Sequence, residues 1–167
     1  MKKLLLLLAM AVMVIGLVAG CGKSADNGGD KKSGTIGFSV STLNNPFFVS
    51  MKEGVEAQAK ALGLKVKIVD AQNDPAKQAN DISDLIESGV SVLIINPVDS
   101  AAISTSVEAA NAKNIPVITV DRSADKGKVV AHIASDNVKG GEMAAQLIVD
   151  KVGKAAKVAE IEGDRKS

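Results

Sequence analysis

The sequence predicts an α/β fold in which a doubly wound parallel sheet is covered by helices on both faces. From Thr35 onward, short β-branched runs alternate with longer amphipathic stretches. The predicted strands are apolar along most of their length, as in parallel sheets that are buried on both faces. Two of the predicted helices begin in the same way, with Asn45-Pro46 and Asp74-Pro75, which are a capping side chain followed by proline at the first helical position. Strict alternation of strand and helix then indicates the doubly wound architecture.

The elements follow in order along the chain. Strands are predicted over residues 35–41, 64–70, 90–96 and 116–121, with less regular candidates at 129–134 and 157–162. The first helix runs from Asn45-Pro46 to Gly63, the second from Asp74-Pro75 to Gly89, the third from near Ser100 to before Pro116, and a fourth over 138–152 opened by Asp136. Ligands of such folds bind beyond the carboxyl ends of the strands, where this sequence has polar residues.

The first residues resemble an export signal. Met1-Lys2-Lys3 precedes an almost purely apolar run, Leu4 to Val18, which is shorter than the roughly 20 residues needed to span a bilayer. The string Leu17-Val18-Ala19-Gly20-Cys21 resembles the lipobox of bacterial lipoproteins, in which the cysteine is lipidated. Residues 1–20 are therefore predicted to be a lipoprotein signal peptide, and 21–34 a lipidated Cys21 with a hydrophilic tether. The alternative is an ordinary cleaved signal.

Composition and motifs exclude several functions. The chain has 20 Lys+Arg against 19 Asp+Glu, so no strong positive field favours nucleic acid. One cysteine and one histidine give no metal-ligand cluster. The turn after the first strand lacks the glycines of a dinucleotide site or a P-loop. His132, Ser135 and Asp136 lie too close together on one strand and loop to form a triad. We therefore expect no catalytic residue, no metal and no cofactor.

The remaining polar and aromatic residues suit a sugar. Asn45 both donates and accepts, Asp121 accepts at two oxygens and Arg122 donates from a rigid fork, which together match vicinal hydroxyl groups. Phe47 and Phe48 offer apolar faces for the C–H surface of a sugar ring. From the residues alone an alternative is equally open. Both phenylalanines would then be core residues of the first helix, and Asp121 and Arg122 a surface pair.

Four separated motifs resemble the D-ribose-binding proteins of bacterial ABC importers, which belong to the periplasmic sugar-binding proteins. They are SVSTLNNPFFV at 39–49, INPVDS at 95–100, IPVITVDR at 115–122 and HIASDNVKGG at 132–141. The resemblance implies a two-lobed type I periplasmic-binding-protein fold that closes on a sugar about a hinge. It also implies that the first-lobe sugar contacts are Asn45, Phe47, Phe48, Asp121 and Arg122, with Ser41 beside them.

The resemblance also divides the chain. Residues 35–135 would form the first sugar-binding lobe, and 136–167 the start of a second lobe. After Glu162-Gly163 the family continues through a Gly- and Ala-rich loop to another sugar-binding arginine, whereas this sequence reads Asp164-Arg165-Lys166-Ser167. Arg165 lacks the spacing of that arginine, and we expect a chain truncated within the second lobe.

The expected function is a solute-binding lipoprotein that delivers D-ribose to an ABC permease. We expect it at the outer face of the bacterial cytoplasmic membrane, held by lipid on Cys21, or in the periplasm. One alternative is a receptor for another pentose or hexose. Another is a single-domain flavodoxin-like enzyme or regulator, against which the export signal and the missing phosphate loop argue. A sugar-responsive repressor would begin with a DNA-binding helix-turn-helix, where this chain has a signal and tether.

Overall fold

Alternating strands and helices make up most of the structure. The computed structural model describes residues 34–161, so Cys21 and the predicted signal and tether lie outside the described residues. The elements are β1 Thr35–Val40, α1 Pro46–Ala61, β2 Lys65–Asp70, α2 Pro75–Glu87, β3 Val92–Ile95, α3 Ser104–Ala112, β4 Val117–Val120, β5 Ala131–Ile133 and α4 Asn137–Val152. The predicted alternation of strand and helix is confirmed as far as β4, which β5 follows without an intervening helix.

The strands form one parallel sheet in the order β2-β1-β3-β4-β5. The chain runs outward from β1 to β2 and then returns to pair β3 against the other side of β1, with Phe38 opposite Ile68 on one side and Ile94 on the other. The order of strands therefore reverses between β1 and β3. Loops that leave the sheet at such a reversal diverge and open a crevice at the carboxyl edge.

The core lies between the sheet and helices α2 and α3. Its buried apolar side chains are Ile82, Leu85, Val90, Leu93, Ile95, Ile103, Val107, Ala110 and Val117. Gly37 of β1 allows this close packing, because an added Cβ would lie 2.8 Å from Leu93 Cδ2 and 3.3 Å from Leu85 Cδ1. This layer holds the sheet edge, and the loops that leave it, on a rigid base.

Side-chain caps fix the starts of three helices, as the sequence predicts. The side chain of Asn45 accepts a hydrogen bond from the Phe47 amide, that of Asp74 from the amides of Ala76 and Lys77, and that of Asp136 from the Lys139 amide. The predicted stops of the first two helices are also present, since Gly63 and Gly89 have positive φ angles of 69° and 75°.

Three predicted boundaries differ from the structure. Helix α3 begins at Ser104 and not near Ser100, because residues 100–103 form a turn in which Asp99 Oδ1 accepts from the Ala102 amide. The strand predicted at 129–134 is only Ala131–Ile133. The prediction of a strand at 157–162 is wrong for the part described, 157–161, because a strand needs a neighbour to pair with and this segment lies outside the sheet.

Helix α4 differs from the others because none of its residues is buried. Its apolar side chains Met143 and Leu147 are 64% and 57% exposed. Among the helices that the structure describes, none is long and apolar enough to cross a membrane. The division into lobes at residues 135 and 136 stays a prediction.

Candidate functional site

The carboxyl edge of the sheet carries a cavity of about 280 Å³. It is lined by Phe47, Met51, Val120, Asp121, Ile133, Ala134 and Ser135. These residues come from the first half of α1 and from the ends of β4 and β5. Two of the predicted sugar contacts, Phe47 and Asp121, therefore share one cavity.

The aromatic pair lies in the first turn of α1. The ring centroids of Phe47 and Phe48 are 5.4 Å apart and their planes are inclined at 66°, so the rings meet edge to face. Phe47 is 53% exposed, whereas Phe48 is partly buried. The alternative in which both rings belong to the core is therefore wrong for Phe47, which presents an apolar surface to the cavity.

Asn45 serves the helix and remains accessible. Its Oδ1 accepts from the Phe47 amide at 3.0 Å, which is the capping bond of α1. The side chain is exposed, and its Nδ2 group can still donate to a ligand. The capping bond therefore fixes the orientation of the amide, and its Nδ2 group is available as a donor at this edge.

Asp121 is held in an unusual backbone conformation at the end of β4. Its φ angle is +65°, in the left-handed region that few non-glycine residues adopt. Two hydrogen bonds hold the turn: the Asp121 amide donates to Ile133 O at 2.8 Å, and the Arg122 amide donates to Val120 O at 2.7 Å. The second bond closes a three-residue turn centred on Asp121. This turn ends the strand and places Asp121 in the cavity wall.

Arg122 is anchored by backbone carbonyl groups. Its Nη1 donates to Pro97 O at 2.9 Å and to Val98 O at 2.5 Å. In the described residues no buried side-chain nitrogen or oxygen lacks a hydrogen-bond partner, so the Nε and Nη2 groups, which have no bond to the described chain, reach solvent. Asp121 and Arg122 form no salt bridge with each other in the part of the chain that the structure describes. Arg122 thus keeps donor groups that the described chain does not use.

Ser41 lies beneath this surface and is only 2% exposed. Its hydroxyl donates to Asn96 Oδ1 at 2.6 Å, and its amide donates to the same oxygen at 3.1 Å. Asn96 Nδ2 in turn donates to Val120 O at 3.2 Å. Ser41 therefore helps to join the ends of β1, β3 and β4, and of the six predicted sugar contacts it is the one with the least access to solvent.

Gln78 is a buried polar residue that the sequence reasoning missed. It lies in α2, is 1% exposed and bonds to the end of β3. A signal was present, because Gln78, Ile82 and Leu85 follow helical spacing and share one face of α2. A glutamine on an apolar helix face indicates a buried polar partner.

His132 and its neighbours do not assemble a nucleophilic site. His132 is exposed on β5, and its Nδ1 lies 2.9 Å from Thr119 Oγ1. The Asp136 carboxylate is occupied as the cap of α4, 2.8 Å from the Lys139 amide. Within residues 34–161 no group of three or more His, Cys, Asp or Glu side chains is placed to hold a metal ion.

Comparison with known proteins identifies relatives of this chain. Residues 36–167 match the family described as periplasmic binding protein domain. The chain is 66% identical over 137 residues to the ribose import binding protein of Bacillus subtilis (strain 168), covering 82% of this chain and 45% of that protein. It is 53% identical over 129 residues to the ribose import binding protein of Escherichia coli K12, covering 77% and 44%. The D-allose-binding periplasmic protein of E. coli K12 is 34% identical over 134 residues, covering 74% and 43%.

Solved structures agree on the fold. The Caulobacter myo-inositol binding protein bound to myo-inositol superposes with a TM-score of 0.66 at 35% identity, covering 71% of this chain and 40% of that one. A solute binding protein of an ABC transporter from Mycobacterium smegmatis, with bound glycerol, gives 0.70 at 39% identity, covering 73% and 42%. The chain spans less than half the length of these relatives.

Proposed function

Because this chain belongs to the periplasmic binding protein domain family, we propose that it binds D-ribose as the solute-binding component of an ABC importer and catalyses no reaction. The relatives at 66% and 53% identity are named as ribose import binding proteins. Their similarity to this chain supports a sugar ligand and an ABC permease as partner. The family gives no support to the flavodoxin-like enzyme or regulator.

One structural observation carries the proposal: an exposed aromatic face, a carboxylate and an anchored guanidinium occur at one edge of the sheet. Phe47 and Asp121 line the same cavity, and Arg122 follows Asp121 directly. A sugar stacked on the Phe47 ring would expose its hydroxyl groups at the rim, where a carboxylate accepts and a guanidinium donates. These groups bind and orient a polyol, and none is a nucleophile paired with a base.

Each predicted contact has a proposed role in binding the sugar. Phe47 and Phe48 would cover the apolar face of the ring and exclude water, which strengthens the polar contacts beside them. The Asn45 Nδ2 group and the free nitrogens of Arg122 would donate to hydroxyl oxygens, and Asp121 would accept from hydroxyl hydrogens. Ser41 would hold the loop after β1 in place through Asn96. We propose all six as the contribution of this chain to the sugar site.

A chimera tests the function. The 137 matched residues of the B. subtilis protein are replaced by those of this chain, and D-ribose and D-allose are titrated by calorimetry, with the unaltered B. subtilis protein as reference. We expect the chimera to bind D-ribose at least about tenfold more tightly than D-allose, a difference of about 1.4 kcal/mol. Tighter binding of D-allose would favour the alternative of another pentose or hexose, for which the D-allose-binding relative argues. Loss of binding to both sugars would contradict the proposal.

We further propose that lipid on Cys21 holds the protein at the outer face of the bacterial cytoplasmic membrane. The support is the Leu17-Val18-Ala19-Gly20-Cys21 string after an apolar run. Such anchoring keeps a binding protein near its permease, because more than one acyl chain makes membrane attachment stable.

The Cys21→Ser variant should lose all incorporation of fatty acid in metabolic labelling with palmitate. The reason is that Cys21 is the only cysteine in the chain, so label has no second thiol to modify. Ser24→Ala, just beyond the motif, is the matched control and should keep the label. A parent chain that takes up no label, or a Cys21→Ser variant that keeps it, would disprove the lipid anchor.

A further inference from the structure

Gln78 uses its side-chain amide in three hydrogen bonds while almost fully buried. Its Nε2 donates to Asn96 O at 2.9 Å and to Ser39 Oγ at 3.1 Å, and its Oε1 accepts from the Val98 amide at 2.8 Å. The two donated bonds require a donor and the third requires an acceptor, which a primary amide supplies together. Gln78 therefore links α2 to β1 and to the segment after β3, Asn96–Val98.

The segment Asn96–Val98 also binds Arg122, on the side opposite to Gln78. Pro97 O and the Val98 amide belong to one peptide group, which is planar, and the described chain has no cis peptide bond. In a trans peptide the C=O and N–H groups point in opposite directions. Gln78 Oε1 binds the N–H side of this peptide, and Arg122 Nη1 binds the C=O side at 2.9 Å. A rotation of this single plane would break both bonds.

The neighbouring peptide groups form further hydrogen bonds between this segment, Gln78 and the end of β4. Asn96 O is fixed by Gln78, and Asn96 Nδ2 donates to Val120 O, next to Asp121. Arg122 Nη1 also donates to Val98 O. The guanidinium is thus held at Nη1 by Pro97 O, whose peptide group is bound by Gln78, and by Val98 O of the next peptide group. Its Nε and Nη2 groups stay available.

We propose that Gln78 is a positioning residue, which sets the orientation of the Arg122 guanidinium through the Pro97–Val98 peptide and so tunes sugar affinity without touching the sugar. Only the effect on sugar affinity rests on the proposed function. The control of Arg122 by Gln78 applies to the chain without any ligand and can be measured separately.

The variant Gln78→Met removes all three hydrogen bonds and keeps the length and helix propensity of the side chain. Ile82→Val, one turn further along the same buried face of α2, is the matched control, because Ile82 packs in the apolar core. Both variants lose core stability, but only the first releases the Pro97–Val98 peptide. Melting temperature, measured for both, identifies effects that come from stability alone.

The first measurement follows the guanidinium hydrogens of Arg122 by nitrogen-15 NMR, without sugar, in the full chain and in the chimera. In the parent we expect protected Nη1 hydrogens, because they are bound to Pro97 O and Val98 O. We expect that protection to be lost in Gln78→Met and kept in Ile82→Val. Protection that survives in Gln78→Met would overturn the proposal, whether or not the chimera binds a sugar.

The second measurement is a double-mutant cycle on D-ribose affinity in the chimera. Gln78→Met should weaken binding by about 5- to 10-fold in the parent background, the usual effect of losing one good hydrogen bond. In an Arg122→Ala background the same change should weaken binding less than about 2-fold, because the residue through which it acts is gone. Equal losses in both backgrounds would show that Gln78 acts on stability alone and would overturn the proposal. A parent chimera that binds no sugar contradicts the proposed function, and the NMR measurement then decides the role of Gln78.

Discussion

The Asp121→Ala variant of the chimera should bind D-ribose roughly 30- to 1000-fold more weakly than its parent, a loss of about 2 to 4 kcal/mol. Asp121 lines the cavity beside Phe47, and in the described residues its carboxylate forms no salt bridge. A hydroxyl group that loses a charged acceptor in a desolvated cleft has no water to replace it. Calorimetric titration of the parent and the variant measures the change.

The left-handed backbone at Asp121 requires a control. Alanine at a φ of +65° adds backbone strain of about 1 to 2 kcal/mol, whereas asparagine tolerates this conformation. Asp121→Asn keeps the size of the side chain and removes only its charge, and Asp121→Gly removes the side chain without strain. We expect all three to lose affinity, and Asp121→Ala to lose the most stability. Unchanged affinity in folded Asp121→Gly would show that the site is elsewhere.

The structure changes the reason for this prediction. In the alternative drawn from the sequence, Asp121 and Arg122 form a surface pair, so the loss of Asp121 would leave Arg122 without a partner. The structure contradicts this pairing, since the two form no salt bridge in the described residues and Arg122 Nη1 is bound to Pro97 O and Val98 O. The guanidinium should therefore keep its position in Asp121→Ala, and the lost affinity should come from the sugar hydroxyl groups alone.

The 167-residue chain by itself should bind D-ribose with a Kd in the millimolar range or not measurably. The proposed site would contact a sugar from one side only, since Phe47 is 53% exposed and Asn45 is also exposed. Hydroxyl groups on the other face of the sugar would remain in water, where exchanging solvent for protein gains little. About half of the contacts then gives well under half of the net free energy, because the fixed cost of association is unchanged.

Titration of the chain and of the chimera with D-ribose, followed by NMR chemical shifts, compares the two directly. The chimera is the control, because it contains the same first half together with the remainder of the B. subtilis relative. We expect the affinities to differ by at least about a thousandfold, or roughly 4 kcal/mol. A micromolar Kd for the chain alone would show that this edge of one sheet suffices for binding.

Local sequence determined the elements and the fold class, because the relevant forces act between neighbours. Asn45-Pro46 and Asp74-Pro75 start α1 and α2 through bonds that span two or three residues. Gly63 and Gly89 end these two helices because each adopts a positive φ angle, which glycine does without a steric penalty. The Asn45 cap also places Phe47 in the first helical turn, so the aromatic part of the site could be predicted without knowledge of the rest of the fold.

Only the tertiary structure decided which polar groups the site leaves free. Arg122 is anchored 24 and 25 residues away along the chain, and Gln78 bonds to residues 18 to 39 positions distant. The strand predicted at 157–162 is absent from the described part, 157–161, for the same reason, since alternation of side chains creates a strand only where another strand pairs with it. Such contacts depend on how the sheet brings distant loops together, and no short window of sequence contains that information.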